Sequence, residues 1–233
     1  MSASRTAKPP RLGYPRLHLR RATSTNDRAR ALASHGAPHG TLVTASEQSA
    51  GRGRQGRAWA APAGTSLLCS VVIRDPSRLL PLAAGVAVAE LVGPQAQVKW
   101  PNDVLVGGRK IAGILVEGRP QEEWAVLGIG LNVAVRLQDL PGDLRDRAAT
   151  MGLGPDALEP VLGRLLAQLE RWTSADAAAV LAAVRARDAL IGRRIRWAAG
   201  EGQGAGIDGD GRLVVLTAGG RVALTAGEVH LKA

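Results

Sequence analysis

The stretch SLLCSVVI, residues 66–73, places apolar side chains on both faces of an extended chain, with only Ser66 and Ser70 interrupting it. A strand with one wet face alternates strictly, so this run fits a strand at the centre of a sheet covered on both sides. The rest of the chain must then supply neighbouring strands and enough helix to cover two faces. RLHLR at 16–20 and TLVTAS at 41–46 read as strands, and QVKWPND, RKIAGILVEG and WAVLGIGLNV, starting at 97, 109 and 124, add three more strand-like segments broken by Gly and Pro. The helices are also marked. TSTNDRARALASHG offers Thr/Ser caps, an Ala/Leu/Arg-rich run from about Asn26 and a terminating Gly36, and LLPLAAGVAVAELVG at 79–93 reads as a buried helix stopped by Gly93 and Pro94. PDALEPVLGRLLAQLERW at 155–172 puts Leu158, Val161, Leu162, Leu165, Leu166, Leu169 and Trp172 on one helical face, and an Ala-rich helix follows at 174–189.

From Ile191 the texture changes to short apolar strands separated by Gly-rich turns, with GDG at 209–211 and AGG at 218–220 as hairpin signals. The expected organisation is a basic, Pro-containing disordered tail at 1–11, a main domain at 12–190 and a small β-domain at 191–233. No stretch approaches the roughly 18 consecutive apolar residues of a membrane span, and the N-terminus lacks the apolar core of a signal peptide, so a cytoplasmic protein with no membrane partner is expected. The single cysteine, Cys69, lies in the apolar run and reads as a core residue; His18, His35, His39 and His230 show no metal-ligand spacing with it, so no protein metal site is expected.

Net charge is +10, but its distribution matters more than its size. Residues 1–60 hold 11 Lys and Arg against Asp27 and Glu47, and the remainder holds 19 basic and 18 acidic residues. This is a local positive field, which weakens a general nucleic-acid reading. Within that field lies GRGRQGRAW, 51–59. Gly51, Gly53 and Gly56 match a dinucleotide fingerprint in spacing only, because SEQSA separates them from the preceding strand and Trp59, Pro62 and Gly64 follow instead of a helix. A nucleic-acid loop would want more aromatics than Trp59, and a merely solvated Gly/Arg loop remains a third reading. All three share one physical content. Glycines let backbone N–H groups approach an anion and arginines neutralise it, so the segment points to a phosphate or a carboxylate.

The second unusual segment is VKWPNDVLVGGRKIAGILVEG, 98–118: a strand ending in a Trp100–Pro101 turn, then a hairpin through Gly107 and Gly108. It carries Lys99 and Lys110, half of the four lysines among 30 basic residues. In a chain that otherwise uses Arg, a retained lysine marks a place that suits a compact ammonium.

Taken in order, TSTND, EQSAGRGRQGRAW, VKWPNDVLVGGRKIAGILVEG and GIGLNV resemble the biotin–protein ligases, or holocarboxylase synthetases, over about residues 16–232. The resemblance implies an α+β fold like that of class II aminoacyl-tRNA synthetases, a mixed sheet with flanking helices plus a small SH3-like β-barrel. It implies ATP and Mg²⁺ as co-substrate and ion, biotin as substrate, biotinyl-5′-AMP as intermediate, and a biotin carboxyl carrier protein or domain as acceptor. By match to the family motifs, Ser24, Thr25, Asn26, Gln48, Arg52, Gly53, Arg54 and Lys110 are the expected biotin-binding residues. Arg52, Arg54, Arg57, Trp59, Asn102 and Asn132 are expected at the nucleotide. Lys110, Arg54 and Asp103 are expected to be catalytic, with Asp103 as base or orienter of the acceptor amine and near the ion that travels with ATP. The glycine-rich loop is expected to be a flexible cover, ordered when biotin arrives. Trp100 reads as a core or pocket-wall residue. Ala61 and Leu67–Leu68–Cys69 depart from the family pattern, which suggests a less aromatic pocket wall. Some members carry an N-terminal DNA-binding domain, and a first strand near residue 16 leaves no room for one here, so no specific DNA binding is expected. The oligomer is expected to be a monomer or homodimer. A lipoate or octanoate ligase or transferase of the same fold is the alternative enzyme, and a non-catalytic biotin- or nucleic-acid-binding module is the alternative of another class.

Overall fold

The computed structural model of the chain describes residues 12–118 and 121–231, so the expected tail at 1–11 lies outside the described residues. Seven strands, β1 (Arg16–Leu19), β2 (Leu42–Ala45), β3 (Ser66–Arg74), β4 (Ala96–Lys99), β5 (Asp103–Val106), β6 (Arg109–Gly118) and β7 (Trp124–Asn132), form one sheet in the order β1-β2-β3-β7-β6-β5-β4. β1 and β2 run parallel and every other neighbouring pair is antiparallel. β3 lies inside the sheet between β2 and β7, and residues 66–73 are all buried, as their two-sided apolarity requires.

The two faces of β3 are covered by different helices. Leu67, Cys69, Val71 and Ile73 share one core with Leu127, Ile129 and Leu131 of β7 and with α2 (Leu80–Val92), α4 (Leu158–Thr173) and α5 (Ala177–Ala186); α2 lies against β4, β5 and β6, α4 reaches β3, and α4 and α5 both pack on α2. α2 buries ten of its 13 residues because it is enclosed on nearly every side, which explains why its sequence is apolar all round. Each fully buried Leu, Ile or Val in this layer contributes about 1.5–3 kcal/mol. Cys69 belongs to it, 1% exposed, and burial pushes its thiol up to about 12, so it is the inert core residue expected. On the opposite face α1 (Thr25–Ser34) packs Ala29 and Ala33 on Val43, Val72 and Val126. That cover ends at the N-terminus of α1, and the sheet beyond it carries Ser70, Gly128 and Gly130 instead of large side chains.

The 134–154 connection, for which the sequence offered no reading, contains a short helix α3 (Gly142–Arg145) and an extended piece at 147–149 that pairs with β6. The helix expected from Pro155 starts later, since Pro155–Ala157 form a separate tight turn ahead of α4. The C-terminal region is an antiparallel sheet of β8 (Arg194–Trp197), β9 (Gly200–Ile207), β10 (Leu213–Thr217), β11 (Gly220–Leu224) and β12 (His230–Leu231), ordered β11-β10-β9-β8-β12. Both expected hairpins form, with Gly211 at φ 80° and Gly220 at φ 112°, conformations that glycine adopts without strain. Ile195, Ile207, Leu213 and Val215 continue the same hydrophobic core as α2, and Trp100 Nε1 donates to Gly211 O at 3.0 Å, which fixes the small sheet against the large one.

Candidate functional site

The glycines of β6 and β7 make the floor of the site. A Cβ on Gly128 would lie 2.1 Å from Asn26 Oδ1, and one on Gly130 would lie 2.5 Å from the Trp59 ring, so α1 and the loop can approach the sheet only because these positions are bare. The first turn of α1 then hangs polar groups over that floor. Ser70 Oγ donates to Asn26 Oδ1 at 2.6 Å and lies 2.8 Å from Thr25 Oγ1, while Gln48 Oε1 accepts from Thr25 N at 2.8 Å and from Thr25 Oγ1 at 3.1 Å. Ser24, Thr25 and Asn26 are all buried. Thr25, Asn26, Gln48 and Ser70 thus hold a fixed pattern of donors and acceptors, which suits recognition of a polar ligand.

Residues 51–59 form a closed hairpin over this floor. Arg52 and Ala58 make an antiparallel bridge, Trp59 N donates to Gly51 O at 2.9 Å and Gly53 N to Arg57 O at 2.7 Å, with a tight turn at Arg54–Gly56. A Cβ on Gly51 would sit 2.5 Å from Trp59 O, so the first glycine lets the two arms close. The three arginines diverge. Arg52 reaches Asp27 Oδ1 at 2.6 Å and Glu117 Oε2 at 2.9 Å, and Arg57 pairs with Glu228 in the segment between β11 and β12. Arg54 Nη1 donates to Asn102 Oδ1 at 3.4 Å and has no ion pair among the described residues; burial pulls its pKa down, while Asp103 acts the other way.

Lys110 owes its position to a bulge. Val104 pairs with Ala112 but Leu105 pairs with Lys110, so Ile111 is an extra residue in β6. Ile111, Ala112 and Ile114 all face the core, and the bulge turns Lys110 to the opposite side, where it lies on the face of Gly113. The backbone there is clamped by the 147–149 segment, Lys110 N donating to Arg147 O at 2.7 Å and Ala149 N to Lys110 O at 2.8 Å. Lys110 Nζ is 2.6 Å from Asp103 Oδ1 and 5.6 Å from the centroid of Trp59, a cation–π distance. Trp59 Nε1 is buried without a hydrogen-bond partner, a donor left over for a ligand. Lys99 stands nearby with its pKa lowered, first by burial and also by Lys110 and Arg57, against an opposing effect of Asp103.

Two cavities meet at these residues. A narrow one of about 110 Å³ is lined by Ser24, Thr25, Asn26, Gln48 and the bare floor at Gly128 and Gly130, and a wider cleft of about 590 Å³ runs towards Asn132, Arg147 and His230. Arg57, Trp59, Lys99, Asp103, Lys110 and Glu228 line both. Of the expected nucleotide contacts, Arg57, Trp59 and Asn132 border the wide cleft, whereas Arg52, Arg54 and Asn102 border only the narrow one, as does Gly53. Asn132 is held by Ser66 Oγ at 3.2 Å and by its own donation to Ala149 O at 2.9 Å. Arg57, Lys99 and Lys110 outnumber Asp103 and Glu228 in the shared wall, so an anion is favoured at the junction.

Residues 18–133 match the biotin/lipoate A/B protein ligase family, and residues 190–232 match the biotin protein ligase C terminal domain. The biotin–[acetyl-CoA-carboxylase] ligase of Mycobacterium tuberculosis is 36% identical over 233 residues, covering 90% of this chain and 86% of that protein. The chain belongs to the biotin protein ligase family. The bifunctional ligase/repressor BirA of Bacillus subtilis is 40% identical, but over 55% of this chain and 43% of its own length, so the chain spans less than half of that relative. Among solved structures, the biotin protein ligase from Aquifex aeolicus in complex with biotin and ATP superposes with a TM-score of 0.76 at 26% identity, covering 93% of this chain and 98% of that one.

The fold therefore gathers every expected site residue of this family member around two joined cavities. Gly113, Gly128 and Gly130 of the floor, the partners Asp27 and Glu117 of Arg52, and Glu228 also belong to the site, without being among the residues expected there. Gly128 and Gly130 carried a signal, since they alternate with Leu127, Ile129 and Leu131 along one strand. Glu228 carried none, because it is brought in from the connection between β11 and β12. Leu67, Leu68 and Cys69, where a less aromatic pocket wall was expected, line neither cavity, and Leu67 and Cys69 belong to the hydrophobic core instead.

Proposed function

We propose that the chain is an ATP-dependent biotin–protein ligase, with biotin in the narrow cavity, ATP in the wide cleft and the reacting atoms at Lys110. The observation that carries this reading is that Lys110 Nζ, 2.6 Å from Asp103, stands in the wall common to both cavities. In the first step a biotin carboxylate oxygen attacks the α-phosphorus of ATP; the new O–P bond gives biotinyl-5′-AMP and the bond to pyrophosphate breaks. Both reactants are anions, so Lys110 and Arg54 reduce their repulsion and stabilise charge that grows in the transition state. Ser24, Thr25, Asn26 and Gln48 orient biotin from below, while Arg52 and Gly53 belong to the loop that covers its carboxylate and shields the mixed anhydride from water. Arg57, Trp59, Asn102 and Asn132 flank the nucleotide.

In the second step the ε-amine of an acceptor lysine attacks the acyl carbon, an amide forms, and AMP leaves. The amine gives up a proton, which Asp103 is placed to accept or to orient. The acceptor is a lysine of a biotin carboxyl carrier protein or domain, met in the cytoplasm. Mg²⁺ would travel with the triphosphate and neutralise part of its charge, with Asp103 the protein carboxylate we assign beside it; among the described residues no group of three or more His, Cys, Asp or Glu could hold an ion.

Incubation with ATP, Mg²⁺ and labelled biotin, lipoate or octanoate tests the reading. Biotinyl-AMP alone is expected, followed by transfer to a carrier domain, and a preparation that makes no biotinyl-AMP sinks it. The match of residues 190–232 to the biotin protein ligase C terminal domain favours biotin over lipoate or octanoate as the acyl group.

A further inference from the structure

Glu117, near the end of β6, touches both Asn26, which hangs over the floor of the narrow cavity, and Arg52 of the loop. Its Oε2 accepts from Asn26 Nδ2 at 2.7 Å and from Arg52 Nη2 at 2.9 Å, and Arg30 Nη1 lies 3.8 Å from Oε1. The same Arg52 nitrogen is 2.6 Å from Asp27 Oδ1, one residue along α1 from Asn26. Two carboxylates therefore face the single charge of Arg52. Arg54, two residues on, has only the Asn102 amide and no ion pair among the described residues. Position in the loop thus divides the arginines: Arg52 is already neutralised by the protein, and Arg54 is not.

We propose that Glu117 is a positioning residue that locks Arg52, and with it the 51–59 hairpin, in register with Asn26, leaving Arg54 and Lys110 to meet the anionic ligand. The proposal rests on the reading of the narrow cavity as the biotin site. A pair between Arg52 and Asp27 alone would contribute little, because those side chains are 37% and 44% exposed. Glu117 is 23% exposed and shares one oxygen between two charge-assisted or amide donors, which makes it the stronger anchor. Because Asn26 and Arg52 both donate to that oxygen, a shift of Asn26 that carries the Glu117 carboxylate with it is felt at Arg52. Cover and floor are thereby coupled without a contact between Arg52 and the ligand.

The test uses the full chain as E117Q, R52Q and the double variant, with melting temperature as the check on folding. Hydrogen exchange of the peptide covering 51–59, measured without substrates, is expected to speed up about tenfold in E117Q, the effect of losing one charge-assisted hydrogen bond. The KM for biotin and the rate at which biotinyl-AMP escapes should rise by a similar factor, with kcat for adenylation falling much less. R52Q should match E117Q, and the double variant should be no worse than the worse single one. Loop exchange at the parent rate in E117Q, or additive effects in the double variant, would overturn the proposal; so would equal losses in kcat and melting temperature with an undisturbed loop. Should E117Q fail to fold, R52Q leaves the bond between Asn26 and Glu117 intact and must still speed loop exchange. The exchange readout needs no catalysis, so it decides the latch even where a parent enzyme that forms no biotinyl-AMP has sunk the ligase reading.

Discussion

Lys110 meets Asp103 and Trp59 because Ile111 bulges out of β6 and because Arg147 and Ala149 clamp its backbone. The lysine itself was picked out from the sequence by its rarity, but nothing in the local pattern of RKIAGILVEG marks the bulge, which is set by pairing with β5. Lys110→Ala is expected to lower the rate of biotinyl-AMP formation roughly 100-fold to 1,000-fold, as for other deletions of transition-state charge, and single-turnover kinetics with labelled biotin would expose an unchanged rate. Lys99 gives a pH test. Burial depresses its pKa, so in the window between the depressed and the ordinary lysine value the unfolded chain holds a proton that the folded chain lacks. Its burial therefore costs stability at neutral pH, and the cost fades as pH rises through that window. An anionic nucleotide reverses the balance by favouring charged Lys99. Affinity for ATP should thus weaken on the alkaline side, below the ordinary lysine range, and Lys99→Met should abolish that limb while raising the neutral melting temperature. Titration calorimetry over pH reads the first and a thermal melt the second.

Strands set the depth of the site more than loops do. Strand type was evident for WAVLGIGLNV from its apolar content, but the use of Gly128 and Gly130 depends on what lies over them, Asn26 from α1 and Trp59 from the hairpin. Alternation tells which residues share a face, and it is silent on whether that face meets a helix, a ligand or water. Gly130→Ala would drive a methyl to 2.5 Å from the Trp59 ring. The expected cost is about 1–3 kcal/mol of stability, typical of overpacking, together with weaker binding of biotin, whose floor is filled, and of ATP through the displaced Trp59. Gly128→Ala should weaken biotin binding alone, because it displaces Asn26, which lines only the narrow cavity. Equilibrium dialysis with each ligand separates the two, and an equal loss of ATP binding in Gly128→Ala would refute the division of the site. The glycine loop follows the same logic: its Gly/Arg composition announced an anion, whereas the separate fates of Arg52, Arg54 and Arg57 depend on carboxylates as distant in sequence as Glu117 and Glu228.

At the scale of the molecule the small C-terminal sheet packs as one body with the large sheet. Its core residues are continuous with α2, Arg185 Nε donates to Ile207 O at 2.8 Å, and Trp100 in the KWPND turn donates to Gly211 O. One cooperative thermal transition is expected, with calorimetric and van't Hoff enthalpies agreeing. Trp100→Phe should cost about 1–2 kcal/mol through the carbonyl it strands and should also impair adenylation, because the same residue lines the narrow cavity; two separate transitions would contradict this coupling. Strand and helix identities, the buried centre at 66–73, the inert Cys69 and the residue types of an anion-activating site follow from local patterning and chemistry, which act over a few residues. The partnering of Arg52 and Arg57, the turn of Lys110 into the cavity, the bare floor under Trp59 and the reach of Glu228 into the site required the assembled sheets. These contacts join segments tens to more than a hundred residues apart, and their energies exist only once packing has brought the charges together and excluded water between them.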